Sequence, residues 1–274
     1  MRSHDLVLLH GQPGLGSEWD QVTAGLPGRF RVLAPDRPGH GSSAQPGGGL
    51  DVNAAAVLAQ MDARGIDRAV LAGHSYGGGV ALRVAAIAPG RVEALVLLAS
   101  VGPDCLNGWD WLLAAPLAGP FLSRMGWQLT PWFARAMMRL FAIRPGREAA
   151  IRRHVNTYVW GCTGWRNGPL WRTFLTEQRA LMVEAAGLAG AARSVRVPAL
   201  VVSDTSDPMV PFRTAQALVG LIPDARLHVI EGAGHHLPLR APEEVAAQVT
   251  AFLDDIDARC GESEQASASD GVPS

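Results

Sequence analysis

One serine lies in a setting that could make it a nucleophile. Residues 73–77 read Gly-His-Ser-Tyr-Gly, and they follow an apolar run at 69–72 and precede a helix-like run at 78–88. This G-x-S-x-G pattern at a strand-to-helix turn is typical of a nucleophile elbow, in which the serine, here Ser75, is held above a parallel sheet. The glycines avoid clashes with the adjoining strand and helix. The backbone N–H of Tyr76 would face the oxygen of an attacked carbonyl, which becomes an oxyanion.

A serine hydroxyl is a weak nucleophile at neutral pH, so it needs a base, which a carboxylate commonly orients. Two downstream loops carry these groups: Asp207 follows an apolar run at 199–203, and His235 follows another at 226–230. The order Ser, Asp, His along the chain is the order that folds with this elbow use. Two alternatives stay open at this point. His236 is a competing base, and Asp207 could instead cap the helix that follows it.

A second candidate oxyanion donor lies near the start of the chain. The apolar run at 5–9 leads directly into His-Gly-Gln-Pro-Gly at 10–14. In this architecture the second donor comes from the loop after the first central strand. Pro13 has no N–H, so Gln12 is the predicted donor, unless the loop is only a Gly/Pro turn. We expect His10 to be a structural hydrogen-bonding group beneath the loop.

Together these segments resemble the α/β-hydrolase superfamily, in its branch of esterases, haloperoxidases and carbon–carbon-bond hydrolases. Residues 36–43, Asp-Arg-Pro-Gly-His-Gly-Ser-Ser, are similar to the family's D-x-x-G-x-G-x-S loop, and residues 229–235 are similar to its last strand and histidine turn. The segment 202–211 resembles the family's acid loop, which ends in D-x-x-V-P. Aligned on that ending, Asp207 takes the acid position. Asp204 stands where the family usually has glycine, and it remains a weaker rival acid.

The composition is that of a globular protein with a large core. The chain has 274 residues, of which 48% are hydrophobic, and its net charge of −1 provides no basic surface for nucleic acid. Its three cysteines, Cys105, Cys162 and Cys260, are widely spaced and odd in number, which fits neither a disulfide framework nor a metal motif, so we expect reduced thiols. The sequence shows no secretory signal and no apolar run of membrane-spanning length. We therefore expect a cytoplasmic protein without a membrane or nucleic-acid partner.

The pattern along the chain predicts an α/β fold with a mostly parallel, doubly wound sheet. Six apolar runs predict buried strands, at 6–9, 30–34, 68–72, 94–99, 199–203 and 226–230. Helical patterns alternate with them, near 17–25, 51–64, 76–88, 212–221 and 241–258.

The beginning of the chain differs from the family pattern. The family usually has two further strands before the first run, and only residues 1–4 precede it here. The run at 30–34 is therefore expected at a sheet edge, unless the true start lies upstream. Such an edge invites pairing with another chain. A partner, or the flanking Arg29 and Arg31, would protect it.

Residues 103–190 interrupt the alternation, at the place where the family carries a helical cap after its sixth strand. We therefore predict a hydrolase core at 1–102 and 191–258, a cap at 103–190 and a disordered tail at 259–274. Seven of the eight tryptophans and four methionines lie in the predicted cap: Trp109, Trp111, Trp127, Trp132, Trp160, Trp165, Trp171, Met125, Met137, Met138 and Met182. Most are expected to pack the cap onto the core. Some must face the serine, which favours a small, mainly hydrophobic substrate.

The resemblance implies a serine hydrolase that cleaves an ester, thioester or lactone through an acyl-enzyme on Ser75, without a metal or an organic cofactor. Haloalkane dehalogenases and epoxide hydrolases are disfavoured because they attack with an aspartate. A carbon–carbon-bond hydrolase is an alternative, although loop 10–14 lacks the extra glycine that those enzymes usually carry. A cofactor-free haloperoxidase or perhydrolase is another. A hydrolase-fold binding protein with little turnover is a third. A monomer or a homodimer is expected.

Overall fold

A computed structural model describes residues 2–126 and 170–269 of the chain. The described residues form a six-stranded sheet in which each neighbouring pair is parallel. The strands are β1 (His4–Leu9), β2 (Phe30–Leu33), β3 (Ala69–His74), β4 (Val92–Leu98), β5 (Ala199–Ser203) and β6 (Ala225–Val229). Their order across the sheet is β2-β1-β3-β4-β5-β6. All six predicted strands are present, which confirms the α/β class.

Eight α-helices of the described residues surround this sheet. They are α1 (Asp20–Gly25), α2 (Leu50–Asp62), α3 (Tyr76–Ile87), α4 (Gly108–Ala114), α5 (Leu170–Ser194), α6 (Phe212–Leu221), α7 (Leu237–Arg240) and α8 (Pro242–Ser269). Residues 118–126 are also helical up to the edge of the described range. Short 3₁₀ turns cover Gly16–Trp19 and Pro89–Arg91.

The core has two halves because successive side chains of a strand point to opposite faces of a sheet. Val7 and Leu9 of β1 join one apolar cluster, which includes buried residues of α2, α3, α5 and α6. Leu6 and Leu8 join the other cluster, which includes buried residues of α1, α7 and α8 together with Trp19. Helices therefore cover both faces, which confirms the doubly wound arrangement.

Strand β2 lies at the sheet edge, as predicted, and in the described part of the chain it pairs with β1 alone. Arg31 contacts the carboxylate of Asp5 beside this edge, and Arg29 bonds Asp254 of α8 at 2.5 Å. The two arginines that the sequence placed around this strand are thus both paired with carboxylates.

Helix α8 corrects one prediction. The sequence pattern ended this helix at 258 and assigned 259–274 to a disordered tail, but the helix continues to Ser269. Two alanines, two glutamates and one glutamine lie in this stretch and favour helix. Arg259 also contacts Asp255 one turn earlier and Asp224 across the surface. Residues 270–274 lie outside the described residues.

The predicted cap falls between β4 and β5, and only its two ends are described, as residues 103–126 and 170–190. Trp109 and Trp111 of α4 are 71% and 65% exposed. The predicted roles of six residues fall outside the described part: Trp127, Trp132, Trp160, Trp165, Met137 and Met138. Among the described helices, none combines the length and apolar character needed to cross a membrane.

Candidate active site

Ser75 occupies the turn between β3 and α3 in a conformation that few side chains adopt. Its φ is 52° and its ψ is −119°, a region that costs free energy and is found mostly at functional sites. The turn is tight because glycine flanks it. A Cβ on Gly73 would lie 2.3 Å from the carbonyl oxygen of Gly77, and a Cβ on Gly77 would lie 2.2 Å from that of Leu9. The spacing of the elbow is therefore a steric requirement.

Three side chains from separate loops meet beside this turn. His235 Nε2 lies 3.0 Å from the hydroxyl of Ser75, and its Nδ1 lies 2.8 Å from Oδ2 of Asp207. All three residues are buried, with exposed fractions of at most 9%. The structure thus brings the predicted nucleophile, base and acid together in hydrogen-bonding sequence. His235 Nδ1–H donates to the carboxylate, which leaves Nε2 to accept from the hydroxyl.

The charges of this array suit proton transfer from the serine. Burial alone would raise the pKa of Asp207, but hydrogen bonds from His235 and from the backbone N–H groups of Met209 and Val210 lower it. Burial lowers the pKa of His235 below its usual range, against the opposing effect of Asp207. At neutral pH the ring is therefore neutral and the carboxylate is ionised.

The rival acid, Asp204, has a different set of partners. Its Oδ1 accepts from the backbone N–H and the hydroxyl of Ser206, both at 2.7 Å. Its Oδ2 accepts from the N–H of Gly234 at 2.6 Å. Asp204 therefore ties the acid loop to the histidine loop, while Asp207 contacts the histidine ring.

The rival base, His236, lies at the start of α7. Its carbonyl accepts from the N–H groups of Leu239 and Arg240 in that helix. Its ring stands edge-on to His235, with ring centroids 5.4 Å apart. It is the Nε2 of His235 that lies next to the hydroxyl of Ser75.

A second buried imidazole–carboxylate pair lies behind the first, and sequence reasoning missed it. His74 Nε2 is 2.8 Å from the carbonyl oxygen of His235, and its Nδ1 contacts the carboxylate of Glu18. Burial alone would lower the pKa of His74, but Glu18 raises it overall. His74 sits inside the elbow motif, so it could have been found. Glu18 lies in a surface-like polar stretch that carries no such signal.

The two predicted oxyanion donors come from elements that adjoin Ser75. Tyr76 is the first residue of α3, where backbone N–H groups have no partner within the helix. Gln12 lies in the loop after β1, and that loop passes against the elbow. A Cβ on Gly11 would lie 2.9 Å from Nδ1 of His74 and 3.3 Å from the Cβ of Ser75. The side-chain amide of Gln12 is engaged elsewhere, since it donates to the carbonyl of Phe174 at 2.9 Å.

Comparison with known proteins places the chain among hydrolases. A family model described as "Alpha/beta hydrolase family" matches residues 6–248. The chain is 34% identical to an acetyltransferase component of the acetoin cleaving system of Pseudomonas putida, over 90% of this chain and 63% of that longer protein. It is 30% identical to a pimeloyl-[acyl-carrier protein] methyl ester esterase of Aromatoleum aromaticum, over 91% of this chain and 98% of the esterase.

Two further similarities involve other reactions. The chain is 31% identical to a 2-hydroxymuconate semialdehyde hydrolase of Pseudomonas sp. strain CF600, over 92% of this chain and 88% of the relative. Among solved structures, the enol-lactonase of Burkholderia xenovorans superimposes with a TM-score of 0.73 and 25% identity, over 93% of this chain and 92% of that chain.

Proposed function

Because the chain belongs to the alpha/beta hydrolase family, we propose that it is a serine hydrolase that cleaves an ester of a small, mainly hydrophobic molecule through an acyl-enzyme on Ser75. The observation that carries this proposal is the hydrogen-bonded series Ser75, His235, Asp207, at 3.0 and 2.8 Å. Thioesters and lactones suit the same site because they present the same electrophilic carbonyl.

The reaction begins with attack of the Ser75 oxygen on the carbonyl carbon. The Nε2 of His235 takes the hydroxyl proton as the new C–O bond forms, and Asp207 stabilises the resulting imidazolium. The tetrahedral intermediate collapses, and the leaving group departs with the proton from Nε2. Nε2 of His235 then takes a proton from a water molecule as the water oxygen adds to the acyl carbon. The second tetrahedral intermediate collapses, the bond to Ser75 breaks, Nε2 returns the proton to the serine oxygen, and the acid leaves.

The backbone N–H groups of Gln12 and Tyr76 are assigned the role of hydrogen-bonding the negative oxygen of the intermediate. These are backbone donors on a helix start and on a loop that packs against the elbow, so they need little reorganisation during the reaction. Loss of one donor of this kind typically costs roughly 100- to 1000-fold in rate.

The preference for an apolar substrate rests on the described end of the predicted cap. A depression beside the acid loop is lined mainly by apolar residues, Trp109 and Leu112 of α4 with Pro208 and Pro211, together with Asn107 and Gly108; it adjoins Asp207 along the chain but none of the three proposed catalytic residues lines it. Apolar walls of this kind favour acyl or aromatic groups over charged ones. The esterase relative acts, by its name, on a pimeloyl-[acyl-carrier protein] methyl ester, which agrees with an ester substrate.

A carbon–carbon-bond hydrolase is the second candidate, because the 2-hydroxymuconate semialdehyde hydrolase is similar over almost the whole chain. The same serine, base and acid would serve it. The absence of the extra glycine in loop 10–14 weighs against it.

The test combines an activity-based probe with a substrate series. The protein is incubated with a fluorophosphonate and with aryl esters of graded acyl length. We expect labelling and turnover that vanish in Ser75→Ala and persist in Ser100→Ala, a matched control whose buried hydroxyl donates to the carbonyl of Val101. Turnover that persists in Ser75→Ala would exclude this nucleophile. Absence of labelling in the unmodified protein would favour a binding protein.

The base is tested by a matched pair of substitutions. His235→Ala is expected to abolish turnover, whereas His236→Ala is expected to retain most of it. The opposite outcome would reverse the assignment. Cleavage of a vinylogous diketone at a higher kcat/KM than any aryl ester would favour the carbon–carbon reaction.

A further inference from the structure

Arg37 is a buried cation that the reaction scheme above does not use. It is the second residue of the D-x-x-G-x-G-x-S loop, and only 2% of its surface is exposed. Its Nε donates to the carbonyl of His10 at 2.9 Å, and its Nη2 donates to the carbonyl of Gly11 at 2.8 Å. Its own backbone N–H donates to Nε2 of His10 at 2.9 Å. The guanidinium is therefore hydrogen-bonded to the loop that carries Gln12, at the two residues before it.

The carbonyl of Gly11 and the N–H of Gln12 belong to the same peptide unit. This unit is planar, and in a trans peptide the C=O and N–H point in opposite directions. The carbonyl accepts from both Arg37 Nη2 and His10 Nδ1, at 2.8 and 2.9 Å. Two donors on one oxygen hold the plane of the peptide, so they also fix the direction in which the Gln12 N–H points.

The charge of Arg37 is balanced by a residue from a distant part of the chain. Glu177 of α5 is fully buried, contacts Nη1, and lies 3.4 Å from Nη2. Asn53 of α2 adds an acceptor for Nη1 at 2.8 Å. The planar fork of arginine suits this set of partners, since it binds a carboxylate and two carbonyls at once, which a lysine cannot do.

Helix α5 reaches the same loop by a second route. Phe174, one turn before Glu177, accepts the side-chain amide of Gln12 at 2.9 Å. Thr173 donates to the carbonyl of Gly39, in the same D-x-x-G-x-G-x-S loop, at 3.1 Å. The helix that returns from the predicted cap is thus bonded to both loops that shape this side of the site.

We propose that Arg37 and Glu177 are positioning residues that aim the N–H of Gln12 at the developing oxyanion. The inference rests on the proposed serine-hydrolase function and deepens it. Neither side chain touches the substrate in this scheme: Arg37 acts through the Gly11–Gln12 peptide, and Glu177 acts through Arg37. Because Glu177 lies on α5, a displacement of that helix would move Arg37 and change the direction of the Gln12 N–H.

The kinetic test compares Arg37→Met, Arg37→Lys and Glu177→Gln with a control on the same helix. Glu184→Gln is that control, because Glu184 is another carboxylate of α5 with a hydrogen bond, accepting the backbone N–H of Leu50 at 2.8 Å, and the hydrogen bond described for it lies outside loop 10–14. Arg37→Met is expected to lower kcat by about 10- to 100-fold, part of the cost of losing an oxyanion donor, with little change in KM. Arg37→Lys should recover only part of this loss, and Glu177→Gln should show a smaller one.

A readout specific to the oxyanion separates positioning from a merely structural role. The oxygen of Ser75 adds to the carbonyl carbon of an aryl trifluoromethyl ketone. The ketone oxygen then carries the negative charge, and His235 takes the hydroxyl proton. Affinity for this ketone should fall by the same factor as kcat, while affinity for the matching alkane, which has no carbonyl, stays constant. Equal loss for both ligands, or full ketone affinity in Arg37→Met, would overturn the proposal. If Arg37→Met does not fold, Glu177→Gln against Glu184→Gln decides the question.

A measurement without turnover keeps the two proposals distinct. The amide resonance of Gln12 in ¹⁵N-glutamine-labelled protein should shift in Glu177→Gln and stay in place in Glu184→Gln. An unmoved resonance in Glu177→Gln would refute the positioning role even in an active hydrolase. An unmodified protein that neither labels nor hydrolyses esters would refute the hydrolase proposal, whereas the resonance would still show whether Arg37 and Glu177 hold the peptide.

Discussion

Replacement of Asp207 by asparagine should give the most informative loss of activity. The side chain keeps its size, and only one oxygen becomes an NH₂ group. In the structure Oδ1 accepts the backbone N–H groups of Met209 and Val210, at 2.7 and 3.0 Å, and Oδ2 accepts Nδ1–H of His235 at 2.8 Å. Because two backbone donors require an acceptor, the amide oxygen must keep the Oδ1 position. The NH₂ group is therefore forced to face the histidine ring.

This orientation should select the wrong tautomer of His235. A donor facing Nδ1 favours the ring with Nδ1 as acceptor, so the proton moves to Nε2, which then points at the hydroxyl of Ser75 and cannot accept its proton. In a serine-protease triad the same change costs about 10⁴-fold in kcat. A factor of that size corresponds to about 5.5 kcal/mol of transition-state free energy. We expect a loss on the order of thousands-fold for Asp207→Asn.

The assay is the steady-state hydrolysis of an aryl ester, with far-UV circular dichroism and thermal unfolding to show that each variant is folded. Asp204→Asn is the matched control, since the three hydrogen bonds of the Asp204 carboxylate are to Ser206 and Gly234 and not to the ring of His235. It should destabilise the fold by about 1–3 kcal/mol, because a hydrogen bond to a charged group is lost, and reduce kcat far less. A folded Asp207→Asn within tenfold of the unmodified rate, or a larger loss in Asp204→Asn, would refute the reasoning.

Three further predictions concern pH and packing. As the pH is lowered, kcat/KM should decline with a midpoint below pH 6.5, because the pKa of His235 is lowered and only the neutral ring accepts a proton. A midpoint above pH 6.5 would contradict this. Gly77→Ala should lower the thermal unfolding temperature, since its Cβ would lie 2.2 Å from a carbonyl of β1, whereas Gly187→Ala, with open space at mid-helix, should raise stability by about 0.5–1 kcal/mol; chemical denaturation compares the two. Glu18→Gln should destabilise the fold by roughly 3–5 kcal/mol at pH 6, because it leaves a buried imidazolium at His74 without its carboxylate; an unchanged denaturation midpoint would show that His74 is neutral.

Short-range features of the fold could be predicted from sequence because their causes are local. Gly73 of the elbow is required by a local contact, since its Cβ would lie 2.3 Å from the carbonyl oxygen of Gly77, whereas Gly77 is required by the carbonyl of Leu9 in the neighbouring strand β1. The strands follow from apolar runs that must be buried on both faces of a parallel sheet. The end of α8 was missed because the alanine- and glutamate-containing stretch after 258 resembles a disordered tail in composition, although the same residues favour helix.

The supporting contacts of the site could not be predicted, because their partners are remote in sequence. Arg37 and Glu177 are separated by 140 residues, and Glu18, in the turn Gly16–Trp19, meets His74 at the end of β3 only through the tertiary structure. A buried carboxylate is uncommon, and its burial is favourable only when a cation lies beside it. That cation can come from any part of the chain, so no local sequence pattern predicts the buried carboxylate.

By itself, the sequence determined which chemical groups are available and in what order they follow each other: a serine at a glycine-flanked turn, then acidic residues, then a pair of histidines. The tertiary structure decided which acid and which histidine contact each other, since Asp207 and Asp204, or His235 and His236, are nearly equivalent neighbours along the chain. The physical reason is that a hydrogen bond depends on distance to within a fraction of an ångström. Only the packing of parallel strands that end at one edge of the sheet brings these loops within hydrogen-bonding distance of each other.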